Sequence, residues 1–229
     1  MKSKALLITF IVLSVLEMMG VAIANSTLIN LAKPLLVLSL IANYRYTAQQ
    51  PSTIFTTALF FCWMGDVLLM FQEKGELFFI LGLICFLIGH VLFIISYRQA
   101  RWKESDNSLM GTQRARFAFP IILAGTGLVI TLYPSLGDMR IPVLIYALVI
   151  TLMVLNTSFR YGRTSVKSYW MVFAGAFLFM TSDAILALNK FQAPFPHAEL
   201  YIMLTYIVAQ FLIVKGIIEH PSMSSFSKS

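Results

Sequence analysis

Eight long apolar runs take up about two thirds of this 229-residue chain and leave it few folds. They are Ala5–Ala24, Leu28–Tyr44, Thr53–Phe71, Leu77–Tyr97, Phe117–Tyr133, Ile141–Phe159, Ser168–Leu188 and Ala198–Ile218. A helix rises 1.5 Å per residue, so ~20 residues cross a ~30 Å hydrocarbon core with every backbone group bonded internally. The runs are continuously apolar rather than alternating, which excludes membrane β-strands. Only 12% of residues are charged and 59% are hydrophobic, whereas a soluble domain carries about a quarter charged. A water-facing surface cannot be built from that remainder, and disordered or disulfide-scaffold classes fall with it. The chain reads as an all-α polytopic membrane protein, one transmembrane domain over residues 1–229 with eight crossings.

An even number of crossings puts both termini on one side, and the basic residues test that. On the N-terminal side lie Lys2, Lys4, Arg45, Arg98, Arg101, Lys103, Arg114, Arg116, Arg160, Arg163, Lys167, Lys215 and Lys228. The other side has Lys74, Arg140 and Lys190, and Lys33 falls inside a helix. A split of 13 to 3 predicts cytoplasmic termini and accounts for the net charge of +7 without nucleic acid. The basic Arg98–Arg116 stretch reads as a topology determinant in preference to a contact with anionic head groups. Lys2, Lys4 and Ala22-Ile23-Ala24 have the outline of a cleavable signal, but the apolar run is long and Glu17 interrupts it, so it reads as the first crossing. Cys62 and Cys85 lie within helices and read as small apolar side chains rather than a disulfide.

Five ionisable residues fall inside the crossings: Glu17, Lys33, Asp66, His90 and Asp183. Each costs ~2.5–3.5 kcal/mol at mid-membrane on insertion scales, which marks it as a functional candidate. Counted from the run ends, Glu17, Lys33, Asp66 and Asp183 share a level ~8–10 Å beneath the outer face, and His90 lies deeper, at ~20 Å. Ion pairs between helices would explain one carboxylate beside Lys33, but three carboxylates exceed one lysine, so a polar cavity is expected. Gly65 and Ser182 precede the aspartates and allow close helix approach, and Pro34 follows Lys33 where it removes a helix hydrogen bond. No metal-ligand spacing, phosphate loop or nucleophile motif occurs.

Residues 60–69 align with 177–186, placing Asp66 against Asp183; Glu76-Leu77-Phe78 is echoed by Glu199-Leu200-Tyr201, and Phe86/His90 by Tyr206/Gln210. Helices three and seven would point the same way, as in a parallel 4+4 duplication about an axis along the membrane normal, with the two aspartates facing each other.

Taken in order, Lys33-Pro34, Gly65-Asp66 with Leu68-Leu69, and Gly82 with Phe86 and His90 make a pattern. It continues through Ser182-Asp183 with Leu186-Ala187, Asn189-Lys190-Phe191, and Tyr206 with Ala209-Gln210. In this the chain resembles the YhhN family, the eight-helix lysoplasmalogenases, over residues 33–210; the long charged loop between helices four and five matches no family role. The resemblance implies hydrolysis of the vinyl ether bond of lysoplasmalogens, with lysophospholipid substrate and bilayer lipid as partners. It implies Asp66 and Asp183 as catalytic residues without metal or organic cofactor. Glu17, Lys33, His90, Asn189, Lys190, Tyr206 and Gln210 are then candidates for substrate binding or tuning.

A buried carboxyl pair suits acid–base chemistry, because burial and like-charge repulsion leave one group protonated beside an ionised partner. On that reading His90, Tyr206 and Gln210 line the deeper pocket. The same acidic cluster would also serve a proton-coupled transporter, although carriers place such groups near the midplane rather than in the outer third. A non-catalytic lipid-binding scaffold is the third class. The compact chain points to a bacterial inner membrane with the site near the periplasmic side.

Overall fold

The structure, a computed structural model, describes residues 2–102, 109 and 111–220, leaving aside the Lys2 side chain. Lys103, Lys228 and most of the charged loop after the fourth helix lie outside the described residues. Among the described residues eight α-helices form: α1 Lys2–Ala22, α2 Ser26–Thr47, α3 Thr53–Leu69, α4 Glu76–Gln99, α5 Gly111–Leu132, α6 Arg140–Ser158, α7 Val166–Phe191 and α8 Ala198–Ile218. No strand occurs among the described residues. Among the described residues seven helices are long and apolar enough to cross a membrane, and α3, with 17 residues, is shorter.

Helix ends fall within three residues of the apolar runs except at α5, which starts at Gly111 rather than Phe117. There Gln113, Arg114, Ala115 and Arg116 are good helix formers that hydropathy alone does not count. Caps set other starts. The Asn25 side chain accepts from the backbone N–H of Thr27 and Leu28, Ser52 from Phe55, and Ser165 from Ser168. Pro34 and Pro120 sit inside α2 and α5, and both helices continue through them.

Each helix packs on the next except α4 on α5; α4 packs instead on α6, and α2 packs also on α8. Two seams are too close for side chains. A Cβ on Gly65 would lie 2.6 Å from the Phe86 ring, and one on Gly175 would lie 2.9 Å from the Ala209 carbonyl oxygen. Contacts between helix ends define the two ends of the bundle. Ser3 bonds Thr47, and Phe10 of α1 stacks on Phe211 of α8 at 5.9 Å, so the start of α1 lies beside the ends of α2 and α8. At the opposite end, Phe79 near the start of α4 meets Phe191 at the end of α7, 5.9 Å between centroids. One apolar core joins residues from all eight helices, and a smaller cluster around Leu132, Leu136 and Val143 closes this second end.

Candidate active site

Asp66 on α3 is 4% exposed, and its Oδ2 accepts a 2.7 Å hydrogen bond from the Tyr206 hydroxyl of α8. Gln210, one helical turn beyond Tyr206, donates from Nε2 to the same hydroxyl at 3.1 Å. Asp183 on α7 has a matching donor in Tyr146 of α6, whose hydroxyl lies 2.6 Å from Oδ2. His90 Nε2 stands 3.9 Å from that oxygen, an ion-pair distance if the ring is protonated but beyond a hydrogen bond. The ring is fully buried, and neither nitrogen has a hydrogen-bond partner among the described residues.

A run of aromatic contacts links the two tyrosines that bond the carboxyl groups. Phe86 meets Tyr206 edge-on at 6.1 Å, Phe179 meets Tyr206 at 5.3 Å, and His90 packs on Phe179 at 4.8 Å and on Tyr146 at 5.4 Å. The aspartates still act on each other electrostatically. Their surroundings are water-poor and offer few routes by which a charge could be hydrated.

Counting residues from the run ends puts His90 well below Asp183, yet the structure brings them together. The start of α4 and the end of α7 share one end of the bundle, so the helices run antiparallel. Side chains lean toward their own helix N-terminus, so those of His90 and Asp183 lean toward one another. In addition α7 extends to Phe191, three residues past its apolar run, which sets Asp183 deeper than the run suggests.

Glu17 on α1 is fully buried with neither carboxyl oxygen hydrogen-bonded among the described residues. Lys33 acts electrostatically on both Glu17 and Asp66, but makes no ion pair within 4.0 Å with a described residue. The next residue, Pro34, accepts a 2.8 Å hydrogen bond from the Trp63 indole, which ties α2 to α3 beside the site. Asn189 and Lys190 stand apart from the carboxyl groups. Asn189 Oδ1 accepts from the Phe195 backbone at 3.2 Å, and Lys190 lies over the Phe79 ring at 4.9 Å.

A crevice between α4, α5, α6 and α7 runs from Phe79, Leu132 and Phe191 inward to Tyr146 and Asp183. Its walls are otherwise apolar, and it holds about 40 Å³ of free space, room for a water molecule. On the lipid side its wall is α5, which buries few side chains, Ile121 and Leu132 among them. Tyr146 is the site residue that sequence reasoning missed. Its one signal is a hydroxyl-bearing ring within the aliphatic run Ile141–Phe159. Among the described residues, no group of three His, Cys, Asp or Glu side chains is arranged to hold a metal ion.

The model of the YhhN family matches residues 28–217. Among curated proteins, the lysoplasmalogenase TMEM86A of Bos taurus is 30% identical over 165 residues, covering 70% of this chain and 63% of the relative. Its Homo sapiens counterpart is 29% identical over 178 residues, covering 75% and 68%, and the human lysoplasmalogenase TMEM86B is 30% identical over 158 residues, covering 69% and 60%. The chain thus spans less than two thirds of the bovine relative's length. No solved structure matches it.

Proposed function

The chain belongs to the YhhN family, and from that premise we propose that it is a membrane hydrolase cleaving the vinyl ether bond of lysoplasmalogens. The products are a fatty aldehyde and glycerophospho-ethanolamine or glycerophospho-choline. The names of the relatives support this substrate class. The observation that carries the reading to particular atoms is the pair of Tyr-bonded aspartates, one of them at the inner end of an apolar crevice.

Hydrolysis of a vinyl ether begins with protonation of the alkene carbon remote from oxygen, leaving an oxocarbenium ion. Water adds to the carbon next to oxygen, and the hemiacetal then collapses to aldehyde and alcohol. One proton enters at carbon, one leaves the attacking water, and the hemiacetal proton passes to the departing glycerol oxygen. Two carboxyl groups sharing a low-dielectric site divide this work, one delivering the proton and the other stabilising the cation and receiving the proton from water. Asp66 and Asp183 fill these roles as a pair. Tyr146 and Tyr206 each fix one carboxyl oxygen, which leaves the other to face substrate. The crevice has room for a water molecule as it stands and would have to widen to take the single alkenyl chain, and Lys33, with no ion-pair partner among the described residues, is placed for the phosphate. Asn189 and Lys190 belong to the mouth.

The proposed topology has eight crossings with cytoplasmic termini and a site nearer the opposite, periplasmic side of a bacterial inner membrane. The charge split supports it, as does the closeness of the α1 start to the α8 end. The 4+4 duplication gains support from crossed partners. Asp66 has Tyr206 and Gln210 of α8, while Asp183 has His90 of α4, the counterpart of Gln210.

Aldehyde release from detergent-solubilised lysoplasmenyl lipid tests the reading, with wild type compared to Asp66→Asn and Asp183→Asn of matched thermal stability. Each substitution is expected to lower kcat by about 10²–10⁴-fold. A folded wild type that releases no aldehyde from either head group across pH 5 to 9 would overturn it; proton-coupled transport by the same cluster is then the reading to test.

A further inference from the structure

The end of the bundle away from the carboxyl groups gathers arginines that the hydrolase reading does not use. After α4 the chain is pinned against the turn after α6: the Trp102 N–H donates to the Arg163 carbonyl at 2.8 Å, and buried Arg160 donates from Nε to the Ala100 carbonyl at 3.0 Å. Arg160 also donates from a terminal nitrogen to Ser168 Oγ at 2.9 Å, and Ser168 in turn donates to the Gly216 carbonyl at 2.6 Å. This fixes Arg101 and Arg163, both half-buried, on one corner. Arg98 is held there by its Nε bond to Asn156 Oδ1 at 2.9 Å, and Arg114 by its bond to the Leu109 carbonyl at 3.0 Å. Burial, then the charges of Arg163, Arg98 and Arg114 in that order, hold Arg101 below the usual guanidinium range.

Four cations so near one another repel, and topology alone would be served as well by scattering them along the interface. Two further observations point inward. Arg160 is fully buried and its second terminal nitrogen has no hydrogen-bond partner among the described residues. The hydroxyl of Tyr97, buried one residue before Arg98, has none either. A buried guanidinium with a spare donor calls for an anion. Glu219, a carboxylate at this end of the bundle, is engaged by Lys167 at 2.9 Å.

We propose that Arg98, Arg101, Arg114 and Arg163, backed by Arg160, form a binding site for a phosphate ester, with the head group of an anionic phospholipid as its natural source. Planar guanidinium forks match phosphate oxygens in pairs, and the corner lies where a cytoplasmic-leaflet head group would reach it. This site is separate from the catalytic carboxyl groups, so its fate does not depend on the proposed activity.

The test uses the full chain purified in neutral detergent, with thermal midpoint and lipid retention by native mass spectrometry as readouts. Dioleoyl-phosphatidylglycerol is compared with dioleoyl-phosphatidylcholine, and inorganic phosphate forms a third arm. The expected result is that phosphatidylglycerol raises the midpoint and is retained while phosphatidylcholine is not, and that R101Q/R163Q weakens this by about tenfold or more. R101K/R163K keeps the charge, and with it the topology, but loses the forks; it is expected to weaken retention as well. A response to inorganic phosphate in addition assigns the site to the phosphate group itself, whereas a response to lipid alone assigns it to the membrane. The proposal is overturned if wild type responds to neither anion, or if R101K/R163K retains lipid as well as wild type does, which would make the effect general surface charge. It is equally overturned if anions bind only after E104Q/D106N, which would make those carboxylates the occupants of the corner.

Discussion

Tyr146 and Tyr206 each donate one short hydrogen bond to an aspartate, and that makes them the sharpest handles on the site. Removing a hydroxyl leaves a ring of nearly the same shape, so packing survives and a carboxyl oxygen loses its fixed donor. Tyr146→Phe is expected to lower kcat by about tenfold to a hundredfold with little change in thermal midpoint, read from aldehyde release at saturating lipid. Tyr206→Phe should do the same and in addition free Gln210, whose Nε2 now bonds that hydroxyl. Unchanged kcat in both variants would remove the tyrosines from the mechanism. Asp66, Asp183, His90 and Gln210 were legible in the sequence because each is a polar group in an apolar run. Tyr146 was not, because its one signal is a hydroxyl-bearing ring in an aliphatic run, and only the fold reveals that its hydroxyl meets a carboxyl group; Tyr206 was named through the family resemblance. His90 was found as a residue but its closeness to Asp183 was not, since residue counting takes no account of the direction in which side chains lean.

Between neighbouring helices the decisive residues are the ones with no side chain. Gly175 faces Ala209 and Ile213 of α8 so closely that an added Cβ would meet backbone, whereas one on Gly127 of α5 would meet nothing within 4 Å. Gly175→Ala is expected to cost about 1–3 kcal/mol, seen as a fall in thermal midpoint, and Gly127→Ala to leave it unchanged or raise it. Equal effects would mean that the α7–α8 seam is looser than its geometry. The end of α8 carries a pH response of its own. Thr164 Oγ1 and His220 Nδ1 lie 2.7 Å apart, and burial, with the Arg160 charge adding to it, pushes the histidine down to about 4 from 6.5. The folded chain therefore binds fewer protons there than the unfolded one, so this contribution is whole above pH 6.5 and is lost as pH falls from 6.5 toward 4. Wild type should lose midpoint across that window more steeply than His220→Gln, and parallel curves would exclude the effect. Helix positions were readable from hydropathy to within three residues because apolar length is what the bilayer demands, and the one larger miss, at α5, is a polar extension beyond it.

Over the whole molecule the open question is whether α3 crosses, because its 17 residues rise only about 25 Å. Charge argues that it does. With eight crossings the basic residues divide 13 to 3 in favour of the side of the N-terminus. If α3 turned back, every later loop would change sides, and the same residues would divide 6 to 10 against the side of the N-terminus. The ends of α3 point the same way. The Ser52 N–H before it bonds the Tyr44 hydroxyl at the end where Ser3 lies, while Phe71 after it packs against Phe78, beside Phe79 and Phe191 at the other end. The expected outcome can be read from single cysteines in a Cys62→Ala/Cys85→Ala background, labelled by a membrane-impermeant maleimide added to intact cells. Lys74→Cys should label, and Tyr46→Cys should label only after the cells are opened. Labelling of both or neither would mean that α3 does not cross, and the reverse pattern would turn the whole protein over in the bilayer. In that last case the carboxyl pair would draw its lysolipid from the cytoplasmic leaflet, and the arginine corner would face the outer one.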